Sequence, residues 1–352
     1  MKIVSFNSNG SDPFFEYEDR NGGVNTIDYK PPIEDLDLSI QPPDYIVELL
    51  INPMLNNQSD IFKLCVKQAN CTNADRQTVG AVFPVSALDC DQPVEKCICD
   101  FLYVAFWQLL ERLEKLEKDE FSENFESNVC VCVFSKKHSK SDNPLHLCIH
   151  SLRKYGYSYF ESNNMILPVK GYERNLIIQE KQKSFNITFK EPILYTHPMV
   201  DRILRDLGTA SNVTHRFVLL YQIIELLMED AIVDDVDNIH NTLKSGGMSV
   251  NDYFENVGRI SKEKARVKNI FDFCNITAKE CDLFKIACST LLQIAGYKKF
   301  STSEPELFYN FRNQMTHSYR RLYAHKTELC ETVQHFEQIV LLIVERYPRS
   351  LT

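Results

Sequence analysis

The hydrophobic pattern changes period twice along this chain. Over residues 94–118 it is helical. Large apolar side chains at 101–107 give way to Glu111, Arg112, Glu114, Lys115, Glu117 and Lys118, an alternation of charge that predicts a solvated helical face. Residues 129–134, 145–151, 165–169, 175–180 and 185–189 then read as short strands separated by polar turns, as in an antiparallel sheet. Ahead of these, residues 1–43 carry a turn at Asn21-Gly22-Gly23 and breaks at Pro31-Pro32 and Pro42-Pro43, which predict short strands and loops. Residues 45–55 fit either helix or strand. Thr196-His197-Pro198 and the polar run 208–212 mark a boundary, beyond which the period stays helical, with helices expected at 214–233, 249–256, 261–273, 277–295, 304–323 and 325–347. The expected fold class is an α+β N-terminal domain over residues 1–195, followed by an all-α helical bundle over residues 200–352.

One late helix concentrates usable chemistry. Over residues 305–322, Phe308, Phe311, Met315, Tyr319 and Leu322 make a continuous apolar stripe. At about 100° per residue, Asn313, His317, Arg320 and Arg321 gather on the opposite side, and Arg312 lies on the flank, about 140° from His317. The two reach one substrate only if Arg312 extends its long side chain or a second helix closes the groove. A histidine can move the proton of a ribose 2′-hydroxyl or of a leaving oxygen. An arginine can hold phosphoryl oxygens bidentately and stabilise transition-state charge, and an adjacent amide can orient either group. The Arg-x4-His spacing alone arises by chance about once per thousand positions, and a polar helix face needs no catalysis to explain it.

Charge narrows the picture. The 352 residues suffice for two domains, and the net charge of −9 argues against a surface coated for nonspecific nucleic-acid binding. The acidity belongs to the first 200 residues, with 20 basic and 28 acidic side chains, against 19 and 20 in the remainder. A local basic patch in the second part is compatible with that balance. No apolar run approaches the roughly 20 residues that span a bilayer, and the first residues lack the apolar stretch of a secretory signal, so no membrane partner and a cytoplasmic location are expected.

The twelve cysteines include two Cys-x-Cys pairs, Cys97/Cys99 and Cys130/Cys132, and no Cys-x-x-Cys knuckle. Cys130 and Cys132 alternate on one face of a predicted strand. Cys274, Cys281 and Cys288 recur at heptad spacing on a predicted helix. Reduced core cysteines are the expectation; zinc chemistry would need ligands from separate elements to converge. No metal or other cofactor is called for.

Arg312-Asn313-Gln314-Met315-Thr316-His317 resembles the Arg-x4–6-His signature of the HEPN superfamily (higher eukaryotes and prokaryotes nucleotide-binding), in the form with Asn after the arginine. The apolar helix over residues 216–227 is similar to the first helix of HEPN domains in bacterial phage-defence proteins, including the ApeA-like group. The resemblance covers roughly residues 200–350. It departs from the pattern at Ser318, where the family usually has glycine after the histidine. It implies a HEPN-like bundle and a metal-independent endoribonuclease, a toxin or anti-phage abortive-infection effector. Arg312, His317 and Asn313 would be catalytic, at a composite site between two copies in a homodimer or higher homo-oligomer. Arg320 and Arg321 would bind RNA beside it. Glu225, in a polar seam with Gln222 and Glu229, would be the supporting acid. An antitoxin or a phage-derived trigger would be a further partner. The alternative is a noncatalytic HEPN module that binds RNA, nucleotide or a protein. His325 and His335 read as surface or packing histidines, and His215 as a capping-region residue.

Overall fold

Burial on residues 145, 148, 149 and 152 follows the helical period, and this decides one segment that the alternating pattern misassigns. The computed structural model describes residues 1–8, 12–52, 58–67, 76–126, 128–138, 143–160, 184–189, 192–210, 212–298, 300, 303–348 and 351. In it residues 145–151, expected as a strand, lie in a helix, Pro144–Arg153. The Asn143 side chain accepts the His146 backbone N–H, and Pro144 occupies the first turn, so the local start signals outweigh the alternation. The expected strands at 165–169 and 175–180 lie outside the described residues, and of 185–189 only the stretch Ser184–Asn186 is extended in a sheet.

The N-terminal unit holds two sheets. Strands β1 (Lys2–Asn7), β2 (Phe14–Glu18) and β3 (Val24–Asp28) form an antiparallel meander. The larger sheet has the order β8-β4-β7-β6-β5-β9, from β4 (Tyr45–Ile51), β5 (Phe62–Lys67), β6 (Arg76–Pro84), β7 (Val129–Ser135), β8 (Ser158–Tyr159) and β9 (Ser184–Asn186), with only the β5–β9 pair parallel. Residues 45–51 are thus strand. Every residue of β7 is buried. Gly80 of β6 lies opposite Phe134, where a Cβ would come 2.1 Å from the Val133 carbonyl oxygen, so the close approach of these strands requires glycine.

Helix α1 (Lys96–Arg112) contributes Tyr103 and Phe106 to an aromatic cluster with Phe6, Phe15 and Tyr29 of the small sheet's unit. It stops six residues short of the expected end. Leu113 turns to extended backbone, Arg112 spends a guanidinium N–H on the Val47 carbonyl at 2.7 Å, and the Asn124 side chain accepts the backbone N–H groups of Glu117 and Lys118. From Leu113 onward the Glu/Lys run is therefore a loop tied down by Asn124. Helix α2 is the Pro144–Arg153 segment already described.

The second unit, from residue 192 onward, is helical: α3 (Pro198–Thr209), α4 (Val213–Lys244), α5 (Val250–Ile260), α6 (Glu263–Phe273), α7 (Ala278–Ile294), α8 (Glu304–His317), α9 (Tyr319–Tyr323) and α10 (Lys326–Arg346). Helix α3 replaces the expected boundary turn; Val200, Ile203, Leu204 and Leu207 bury one face of it. The single helix expected at 304–323 is two, because Ser318 (φ −136°, ψ 22°) interrupts it between α8 and α9. Phe308 stacks on Phe336 of α10 at 4.2 Å between centroids, and Phe284 and Phe311 complete the aromatic core.

The ends of α7 and α10 are tied by Glu280, whose carboxylate accepts from the Thr277 backbone and hydroxyl, at 2.9 Å each, and from Arg346 Nη1 at 3.1 Å. Arg346, followed by the Thr277 bonds, holds this carboxyl down to about 2 from an ordinary 4.5, against a burial effect that raises it. Its stabilising contribution is complete above pH 4.5 and is lost as the pH falls towards 2. Glu280→Gln is therefore expected to cost about 1 kcal/mol at pH 7, allowing for solvent screening of a partly exposed pair. The gap between the wild-type and variant unfolding midpoints should narrow below pH 4.5 and close only at about pH 2. An unchanged gap at both pH values would contradict the assignment.

Candidate functional site

The apolar stripe of α8 behaves as its spacing predicts: Phe308, Phe311 and Met315 are buried, and Leu322 is buried on α9. Tyr319 is half-buried, and its hydroxyl accepts a hydrogen bond from Thr214 of α4. This packing sets which side of α8 faces α4 and α6, and it brings Arg312 to the seam between them.

Arg312 is only 21% exposed. Its guanidinium carbon sits 5.2 Å over the ring of Tyr221, and its Nε lies 3.2 Å from Glu263 Oε1 in an ion pair. Nη1 donates to the Asn313 side-chain oxygen at 3.2 Å. Nη2 is 3.9 Å from Glu225 Oε1, close enough for electrostatic attraction and too long for a hydrogen bond. Four of the surrounding groups thus come from three helices. Asn313 belongs to the arginine and not to the histidine.

Tyr221 and Glu263 are the two groups around Arg312 that the sequence reading does not single out. Tyr221 is 5% exposed, stacks on Phe217 at 5.8 Å, and donates its hydroxyl to the same Glu263 oxygen that faces Arg312. Burial, reinforced by that bond, pushes its phenol well above the usual value, so it stays a donor. A sequence signal for Tyr221 existed, since it lies one turn before Glu225 on the same helix face. Nothing in the sequence links Glu263 to Arg312; only the packing of α6 on α8 does. Glu263 also begins α6, where the helix N-terminus favours a carboxylate.

His317 is the last residue of α8 and is exposed. Both it and Arg312 remain on one helix, so the expected separation holds: about 7.5 Å along the axis and about 140° around it. Arg320 and Arg321 are exposed on α9, but the reckoning that placed them on the face of His317 does not carry through the break at Ser318. Arg321 instead lies 5.7 Å over the ring of Tyr297. Gln222, Glu225 and Glu229 are all exposed on α4, so the polar seam is a real surface feature. His335 is buried, with burial as the main cause lowering its pKa, and the His215 backbone N–H is capped by Asn212 at the start of α4.

Cys130 and Cys132 are fully buried in β7, and burial drives both thiols upward; Cys274, Cys281 and Cys288 are buried in the helical unit. No group of three His, Cys, Asp or Glu side chains among the described residues is placed to hold a metal ion. In the N-terminal unit an open hollow of about 380 Å³ is lined by Tyr45, Trp107, Gln108 and Arg112, but Gln108 and Arg112 spend donors on the carbonyls of Pro42, Tyr45 and Val47. No helix among the described residues is long and apolar enough to cross a membrane.

Comparison with known proteins returns no matching family model, no matching curated protein and no matching solved structure.

Proposed function

We propose that the helical unit is a HEPN-type, metal-independent endoribonuclease, acting in the cytoplasm as a toxin or anti-phage effector. The observation that supports this most directly is the pre-set guanidinium of Arg312 on the same helix as the exposed His317. The two point about 140° apart, so the working site is made by two copies of the chain, each giving an Arg312 and a His317 to one cleft. In that cleft a 2′-hydroxyl passes its proton to one imidazole as its oxygen bonds to phosphorus. The phosphorus–5′-oxygen bond breaks, and the leaving oxygen takes a proton from water while the imidazolium returns its own to solvent, so one Arg312–His317 pair completes the step. Arg312 carries the charge on the phosphoryl oxygens, Asn313 holds the guanidinium, and Arg320 and Arg321 contact flanking phosphates. The N-terminal unit would sense an invader or restrain the site, under an antitoxin or a phage-derived trigger.

One observation favours a second reading, a noncatalytic module that binds RNA, nucleotide or a partner protein. Arg312 is already paired with Glu263 and has Glu225 near it, so part of its charge is neutralised. RNA cleavage by the purified chain in EDTA separates the two. The wild type is expected to cut, and Arg312→Ala and His317→Ala each to lose at least about 100-fold. Binding of RNA without cleavage, unchanged by His317→Ala, would leave the second reading in place.

A further inference from the structure

Given the RNA-cleaving role proposed for Arg312, on which this rests, we infer that Glu263 and Tyr221 are positioning residues that fix its guanidinium for the phosphoryl group. An arginine at the end of a flexible stem holds an oxyanion well only if its plane is already set, because a misplacement of about 1 Å can cost about 100-fold in rate. Here the plane is set from three sides. The Tyr221 ring lies under it at 5.2 Å, Glu263 Oε1 faces Nε at 3.2 Å, and Asn313 takes one Nη1 proton at 3.2 Å.

The supports are themselves held. Tyr221 is buried and wedged on Phe217, and its hydroxyl donates to the Glu263 oxygen that faces Arg312, so one oxygen couples tyrosine to arginine. Glu263 is anchored at the first residue of α6. What this arrangement leaves uncommitted is the Nη2 edge, which lies 3.9 Å from Glu225 Oε1, beyond hydrogen-bond reach. An arriving phosphoryl oxygen meets that edge. The Nε side, committed to Glu263, keeps the fork from rotating away. A carboxylate on Nε with an aromatic face beneath uses the planarity that distinguishes arginine from lysine.

The test is RNA cleavage by the full chain under single-turnover and steady-state conditions. Glu263→Ala is expected to lower kcat about 10- to 100-fold while KM changes less than about threefold. Glu263→Gln should recover most of the loss, because the amide oxygen still accepts from Tyr221 and still faces Nε. Tyr221→Phe should lose about three- to tenfold in kcat. In the Arg312→Ala background, Glu263→Ala should change nothing further, since its effect passes through the guanidinium. Wild-type kcat in Glu263→Ala, or the same loss repeated in the Arg312→Ala background, overturns the positioning role and leaves the nuclease reading intact. Absence of cleavage by the wild type overturns both. If Glu263→Ala does not fold, the same comparison is made with Glu263→Gln and Tyr221→Phe in both backgrounds.

Discussion

Two inactive variants, Arg312→Ala and His317→Ala, should restore each other when co-expressed, to about a quarter of the wild-type cleavage rate. The figure follows from the geometry of α8. Arg312 and His317 leave the same helix about 7.5 Å apart along its axis and about 140° apart around it, so they face different directions in one copy. In a two-fold cleft each productive pair takes its arginine from one copy and its histidine from the other. Random pairing of the two variants makes about half the dimers mixed, and each mixed dimer keeps one of two intact pairs. Differently tagged chains, purified through both tags, should raise the recovered rate to about half. Recovery at the background of either single variant would mean that both side chains act from one copy, which the helix forbids without a large movement of Arg312. A wild type that elutes as a strict monomer at every concentration would sink the composite site as well.

The legible and illegible parts of this chain divide along a physical line. The sharp 3.6-residue period of the second half placed most of its helices, because a stripe such as Phe308, Phe311 and Met315 has no other way to be buried on one side. Burial in α3 follows the same period, at Val200, Ile203, Leu204 and Leu207, yet Pro198 and Gly208 within it read as punctuation. Pro198 is a helix start. Between 145 and 151 an alternation of apolar and polar letters imitates a strand, and only the start signals at Asn143 and Pro144 tell otherwise. At the candidate site, local spacing singled out Arg312, Asn313 and His317 and the resemblance added Glu225, all within two helices. Glu263 reaches the arginine through tertiary packing, which leaves no periodic trace. The break at Ser318 likewise could not be read from composition, and the helical reckoning for Arg320 and Arg321 stops there.

Removing either side of the Arg216–Glu337 pair is expected to destabilise the helical unit by about 3–5 kcal/mol, the largest stability effect among the ion pairs described. The side chains are 5% and 10% exposed, and the contact is bidentate, with Nη2 2.7 Å from Oε1 and Nε 3.2 Å from Oε2. Arg216 also donates Nη1 to the carbonyls of Leu207, at 2.7 Å, and Ala210, at 3.4 Å, at the C-terminal end of α3, where Leu207 otherwise accepts, among the described residues, only the long Ala210 N–H bond at 3.4 Å. One guanidinium therefore joins α3, α4 and α10. Glu337→Ala leaves that guanidinium buried without its carboxylate, and Arg216→Ala strands both the carboxylate and the α3 end. The apolar replacement Arg216→Met with Glu337→Leu removes both charges at once and should recover much of the loss, but not all of it. The α3 end loses its guanidinium donor, and Leu207 keeps only the long Ala210 N–H bond, at a cost of about 1–3 kcal/mol for a buried carbonyl that loses its main partner. Urea unfolding followed by far-ultraviolet circular dichroism gives the comparison. A cost below about 1 kcal/mol for Glu337→Ala would mean that the pair is hydrated in solution, since a solvated ion pair contributes no more than that. Full recovery by the apolar double variant would mean instead that the α3 end finds other donors, and that the guanidinium matters only to its carboxylate.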